Sequence, residues 1–304
     1  MTEQQHVAGV EHDPLKELYA DWSDILATTE NLTIRLFRSI FDEWHQPTAE
    51  PTDVTYAEDT VGGVPGIWCR PLGADESRVL LYTHGGGFAV GSASSHRKLA
   101  AHFAKALGVT SFVLDYRRAP EHPHPASLED AVAAFVGLIE NGVAPENITT
   151  IGDSAGGNLA VATALSLKEQ GKPLPGSVIA LSPWLDMENK GETLVTNDAT
   201  DALISVGLLE GMIAGVLGDQ TSPTAPLANP LYADYTGFPR LYITAGSDES
   251  LLDDATRLND LATAAGVDVT LSVVEGQQHV FPFNAGRTAA ADDQIAAIAK
   301  WYAS

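Results

Sequence analysis

Ser154 sits in Gly152-Asp153-Ser154-Ala155-Gly156, led in by Thr149-Thr150-Ile151 and followed by an apolar run at helical spacing from Asn158. A β-branched lead-in, Gly-x-Ser-x-Gly and then a helix pattern place this serine on a strand–turn–helix, the context of a nucleophile elbow. Such a turn should strain the Ser154 backbone and lift Oγ above the sheet. Gly152 and Gly156 are expected because a Cβ at either place would collide with a neighbouring element. The N-terminus of the following helix would face the site, where its dipole favours developing negative charge. A serine in an ordinary glycine-rich turn is the bland alternative, and the flanking strand and helix patterns argue against it.

A serine nucleophile needs a base. Beyond Ser154 the chain has one histidine, His279, in Glu275-Gly-Gln-Gln-His279-Val-Phe281 directly after the last strand pattern. A lone histidine is more often structural, but the order serine, acid, histidine for a nucleophile on such a turn leaves His279 as the candidate. The acid must follow the strand pattern Leu241–Ala245, which offers Asp248, Glu249 and Asp253. Upstream, His84-Gly85-Gly86-Gly87-Phe88 follows the apolar run Arg78–Thr83. Three glycines let the backbone approach a carbonyl, so the N–H groups of Gly85, Gly86 and Gly87, with that of Ala155, could hold an oxyanion. His84 is read as positioning this loop.

These residues need a scaffold. The chain has 304 residues, 44% of them hydrophobic, enough for one large core or two modest ones. Strand patterns at 54–56, 66–70, 78–83, 109–116, the elbow, 177–181, 240–245 and 267–274 alternate with helix patterns at 95–107, 126–140, after the elbow, 251–265 and 289–302. That alternation predicts an α/β fold with a mostly parallel sheet covered on both faces. Residues 1–45 show two apolar stripes ending at Pro47, read as helices. Residues 187–230 break the alternation and are read as an insertion.

The formal charge of −23 argues against nucleic acid and anionic membranes as partners. Cys69 is the single cysteine, so an internal disulfide is excluded, and no metal or organic cofactor is expected. The first residues carry neither a basic nor an apolar leader segment, and no stretch reaches membrane-spanning length, so a cytoplasmic protein is expected.

Taken together, His84-Gly-Gly-Gly-Phe88, Asp115-Tyr-Arg-Arg-Ala-Pro-Glu121 with His122-Pro-His-Pro-Ala126, Gly152-Asp-Ser-Ala-Gly-Gly-Asn158, Ser182-Pro-Trp184 and Gly276–His279 resemble the hormone-sensitive-lipase-like esterases of the α/β-hydrolase superfamily, the bacterial family IV carboxylesterases. The motifs run in that family's order over roughly residues 50–304. The resemblance implies an eight-stranded α/β-hydrolase sheet at 49–186 and 231–304. It also implies a helical cap built from 1–48 and 187–230, with Phe88, Leu208, Leu209 and Met212 facing a small-molecule ester. Tyr116-Arg117-Arg118 and Gln277-Gln278 depart from the family's usual Tyr-Arg-Leu and Met-containing runs. The run Gly246–Asp254 is similar to a branch that includes monoterpene ε-lactone hydrolases, so a lactone is a further candidate substrate.

The family acid lies in Asp-Pro-Leu-x-Asp, and this chain is one residue longer there. Counting from the strand matches Asp248; counting back from Leu251-Leu252-Asp253 matches Glu249. We take Glu249, with Asp248 the alternative. An amidase or formamidase with the same triad, and a receptor on a hydrolase fold, are the other functions weighed; a homodimer is left open.

Overall fold

The computed structural model describes residues 12–304; the leader reading at the first residues falls on 1–11 and lies outside them. The apolar runs become strands of one eight-stranded sheet: β1 (Val54–Val61), β2 (Val64–Pro71), β3 (Asp75–Thr83), β4 (Val109–Leu114), β5 (Ile148–Asp153), β6 (Ser177–Leu181), β7 (Arg240–Gly246) and β8 (Val269–Val274). Their spatial order is β1-β2-β4-β3-β5-β6-β7-β8. β2 runs antiparallel to both neighbours, and every other pairing is parallel. β4, β5 and β6 are buried along their whole length, as strands covered on both faces must be. β1 and β2 are longer than their patterns suggested. Val61 pairs with Val64 across Gly62-Gly63, both at positive φ, so the hairpin closes in two residues.

Between strands lie α3 (Ala93–Leu107), α4 (Ala126–Glu140), α5 (Ala155–Glu169), α8 (Leu252–Ala264) and α9 (Ala289–Tyr302). The crossover β3–α3–β4 steps one way across the sheet, and β4–α4–β5 steps back the other way. Right-handed crossovers therefore put α3 and α4 on opposite faces. α9 packs with α3, and α5 with α4. The reversal of direction falls beside β3 and β5, and the crevice at the carboxyl ends of strands at such a point is where open α/β sheets bind ligands.

Before the sheet come α1 (Pro14–Thr28) and α2 (Ile34–Phe41), followed by a 3-10 turn at Asp42–His45. Asp13 starts α1 by accepting from the N–H groups of Leu15 and Lys16, with Pro14 in the first turn. Their aromatic stripes meet: Trp22 and Phe41 have ring centroids 4.6 Å apart, and Trp44 stacks on Phe283 at 5.3 Å. The apolar face of these helices is thus buried against the loop that follows His279. Between β6 and β7 lie α6 (Thr193–Thr196) and α7 (Val206–Leu217). α7 begins only at Val206, past the apolar Leu203 and Ile204, because Asp201 takes the N–H groups of those two residues and Ser205 caps the helix. Asp254 of α8 holds the Ser182–Asp186 loop through the N–H groups of Leu185 and Asp186 at 2.7 and 2.9 Å; burial pushes its carboxyl up to about 7. No helix of the described residues is long and apolar enough to cross a membrane.

Candidate active site

Ser154 closes β5 and opens α5 at φ 53°, ψ −121°. A non-glycine residue there stores on the order of 1–3 kcal/mol and persists only where its surroundings fix it. The fixing bonds are Ser154 N–H to Leu181 O at 2.8 Å and Trp184 N–H to Ser154 O at 3.0 Å. The flanking glycines are there for space. A Cβ at Gly152 would lie 2.2 Å from Gly156 O, and one at Gly156 would lie 2.0 Å from Thr83 O. The elbow thus presses strand and helix closer than any side chain allows.

The glycine loop leaves β3 with Gly86 and Gly87 at positive φ. Gly85 departs from the expected role: its N–H donates to His96 Nε2 at 3.2 Å and is turned away from an oxyanion. No protein acceptor among the described residues takes the N–H of Gly86, Gly87 or Ala155. His84 is buried, its Nδ1 donates to Gly85 O at 2.7 Å, and its ring stacks on Tyr116 at 4.1 Å. Burial first and the neighbouring His96 second push its imidazole well below the ordinary histidine range, so it stays neutral. The Tyr116 hydroxyl donates to His84 O at 2.6 Å. Behind the elbow, Asp153 accepts from Tyr82 at 2.8 Å and lies 3.3 Å from His96 Nε2. The sequence reading missed His96. Nothing local marks it, because its partners come from the ends of two separate strands.

Past β7, the Glu249 carboxylate lies 2.9 Å from His279 Nδ1, with both side chains fully buried. Its other oxygen accepts from Gly246 N–H at 3.2 Å. Asp248 is half-buried and its carboxylate accepts from Ser247 Oγ at 3.2 Å; Asp253 takes the Glu192 N–H at 2.9 Å in the first turn of α8. Burial pushes the Glu249 carboxyl up, partly offset by His279. Burial alone would lower the His279 imidazole, but the hydrogen bond and charge of Glu249 outweigh it and the net direction is upward. His279 Nε2 is buried with no hydrogen-bond partner, aimed at no acceptor within the protein. The loop around it is held on several sides. Tyr19 donates to His279 O at 3.0 Å, Trp44 donates to the Tyr19 hydroxyl at 3.1 Å, and Val280 N–H donates to Ser182 Oγ at 3.0 Å.

A cavity of about 730 Å³ opens between α1, α2 and the 198–215 segment. Leu26, Phe37, Ala89, Leu203, Leu208 and Met212 are among its lining residues. Leu209 is packed in the core and Phe88, at φ 58°, is nearly buried; neither lines the cavity. Met212 reaches the glycine loop: a Cβ on Gly87 would fall 1.9 Å from its Sδ. Met212 thus joins the cavity wall to the glycine loop, while Ser154, Gly86, Gly87, Ala155 and His279 are not themselves among the cavity's lining residues.

A family model described as the alpha/beta hydrolase fold matches residues 80–283. An acetyl-hydrolase of Streptomyces hygroscopicus is 43% identical over 222 residues, covering 73% of this chain and 74% of that protein. An esterase of Acinetobacter venetianus is 34% identical over 256 residues, covering 84% of each. Among solved structures, an esterase from the bacterial hormone-sensitive lipase family superposes with a TM-score of 0.89 at 37% identity, over 99% of this chain and 98% of that one. By fold, sequence and strand-end motifs, the chain belongs to the α/β-hydrolase family, in its bacterial hormone-sensitive-lipase group.

Proposed function

We propose that the protein is a serine carboxylic-ester hydrolase acting through an acyl-enzyme on small to medium apolar esters. The observation that carries this reading is the buried Glu249–His279 pair, its Nε2 unpartnered, at the same carboxyl-end side of the parallel strands as a strained Ser154 and the free N–H groups of Gly86, Gly87 and Ala155. Relatives described as an acetyl-hydrolase and an esterase support the same chemistry.

In this reading His279 Nε2 takes the Ser154 proton as Oγ bonds to the ester carbonyl carbon. The carbonyl oxygen becomes an oxyanion held by Gly86, Gly87 and Ala155 N–H groups, each donor of this kind worth about 10²–10³ in kcat. The tetrahedral adduct collapses, the C–O bond to the alcohol breaks, and Nε2 returns its proton to the departing alkoxide. Water then repeats the sequence on the acyl-enzyme: it gives its proton to Nε2, and the free acid leaves as Ser154 regains that proton. Glu249 stays ionised throughout, holding the ring by Nδ1–H and stabilising the imidazolium.

The helices α1 and α2 together with 187–230 are read as the cap, with the cavity between them taking the substrate's apolar part. A lactone is a further substrate candidate, on the similarity of Gly246–Asp254 to ε-lactone hydrolases. Rates on a panel of p-nitrophenyl esters, lactones and anilides test the assignment. Ester turnover with anilides inert supports it, while anilide turnover matching the esters points to an amidase.

Leu208→Ala and Met212→Ala should change chain-length preference more than kcat on p-nitrophenyl acetate, since these side chains would touch remote parts of the substrate. Leu209→Ala should instead lower stability by about 2–5 kcal/mol, because Leu209 is a core residue. An unchanged profile in both cavity variants would mean the cavity is not the substrate's.

pH should act through His279. Catalysis needs the neutral ring, so kcat/KM rises as pH passes its pKa. Because the folded pKa is raised, the midpoint should lie above the ordinary value of about 6.5. Glu249→Gln removes the upward cause, so the midpoint of its residual activity should move lower. Profiles of kcat/KM from about pH 5 to 9 check both, and a flat wild-type profile would point to another base.

A further inference from the structure

The loop of His279 is tied to the wall of the cavity by a side chain at its own doorstep. Gln278 is fully buried. Its Nε2 donates to Thr200 O at 2.9 Å, and its Oε1 accepts from Ala202 N–H at 2.8 Å. One amide thus serves as both donor and acceptor to a single stretch of backbone, as a neighbouring strand would. A buried amide without those partners would be left unsatisfied and costly, so the two bonds fix where Gln278 can sit.

The stretch it grips is firmly placed. Thr200 Oγ1 donates to Asp248 O at 2.9 Å, Asn197 Nδ2 donates to Ser247 O and Glu249 O at 2.9 and 3.0 Å, and Asp201 accepts from Ser250 N–H at 2.7 Å. Ser23 of α1 donates to Ala202 O at 2.6 Å. Residues Asp201 to Ile204 of the same stretch line the cavity. Both loops that carry the Glu249–His279 pair are therefore bonded to one segment of the cavity wall. On its other side, His279 passes into Val280, which is left-handed at φ 52° and held by Ser182. With Nε2 free, the ring's aim depends on Nδ1 and on these backbone ties.

We propose that Gln278 is a positioning residue: its amide makes the cavity wall at Thr200–Ala202 and the base His279 one rigid unit. The proposal rests on the reading of His279 as the base. A loose wall would then misplace the ring even for a substrate too small to touch that wall. A thioether of similar volume at this position could bond neither Thr200 O nor Ala202 N–H.

The test uses Gln278→Met, close in volume, and Gln278→Glu, which keeps an acceptor for the Ala202 N–H and keeps the experiment alive where the Met variant does not fold. kcat and KM on p-nitrophenyl acetate are measured per titrated active site, beside thermal unfolding and a His279→Ala control. The expected result is a fall in kcat of about ten- to a hundredfold with KM nearly unchanged, the size a misplaced catalytic group produces. Gln278→Glu should show a smaller fall in the same direction. If folded variants keep wild-type kcat and lose only thermal stability while His279→Ala is inactive, Gln278 is a structural tie and the proposal is overturned. If His279→Ala itself turns over, the reading of the base fails, and the proposal with it.

Discussion

Ser154→Ala is expected to abolish turnover of p-nitrophenyl acetate down to a residue of about 10³–10⁴ over water, the part that oxyanion donors and binding alone supply. The magnitude follows from the mechanism. Without Oγ there is no acyl-enzyme, and His279 has no proton to take. The fold should survive, because no hydrogen bond from the Ser154 side chain supports it and the bonds that fix the elbow use its backbone N–H and C=O. Circular dichroism and thermal unfolding close to wild type, with kcat lost, is the expected pair of results. A folded variant retaining more than a few per cent of wild-type kcat would contradict the serine mechanism.

Glu249→Gln should lower kcat by up to about 10⁴ with KM little changed, whereas Asp248→Asn should stay close to wild type. The amide keeps the shape of the side chain but loses the charge that stabilises the imidazolium and allows the wrong tautomer of the ring. Glu249 is fully buried at 2.9 Å from Nδ1, so no water can stand in for it. The Asp248 carboxylate, half-buried and bonded to Ser247, has no hydrogen bond to the ring. Steady-state kinetics of the two variants decide between them, and a reversed order would make Asp248 the acid.

How much of this was legible depended on how local each cause was. The alternation of strand and helix patterns is a local signal repeated along the chain, and it carried the parallel sheet and its eight strands. Ser154 was legible because Gly-x-Ser-x-Gly is itself the geometry: the glycines are demanded by backbone oxygens about 2 Å from where a Cβ would stand. His279 stood out by elimination in chain order. The acid was harder, since a single extra residue after β7 lets two carboxylates compete, and spacing cannot say which one turns inward.

Other features are non-local and left no mark. Gly85 gives its N–H to His96, eleven positions on, so the loop has fewer free donors than three consecutive glycines suggest. Tyr19 braces the carbonyl of His279 across 260 residues of chain, which makes α1 a support of the site as well as a wall of the cavity. Leu203 and Ile204 stay outside α7 because Asp201, set by the fold around it, takes their backbone N–H groups.

The central claim is that Ser154 is the nucleophile of a covalent mechanism, and an organophosphate tests it most directly. Incubation with p-nitrophenyl diethyl phosphate, followed by peptide mass spectrometry, should give one diethylphosphoryl group per chain on the peptide bearing Ser154. Release of p-nitrophenol should match that stoichiometry, esterase activity should fall in step with labelling, and Ser154→Ala should take no label. Inactivation with the adduct on another residue, or full activity in a preparation fully labelled at Ser154, would contradict the account.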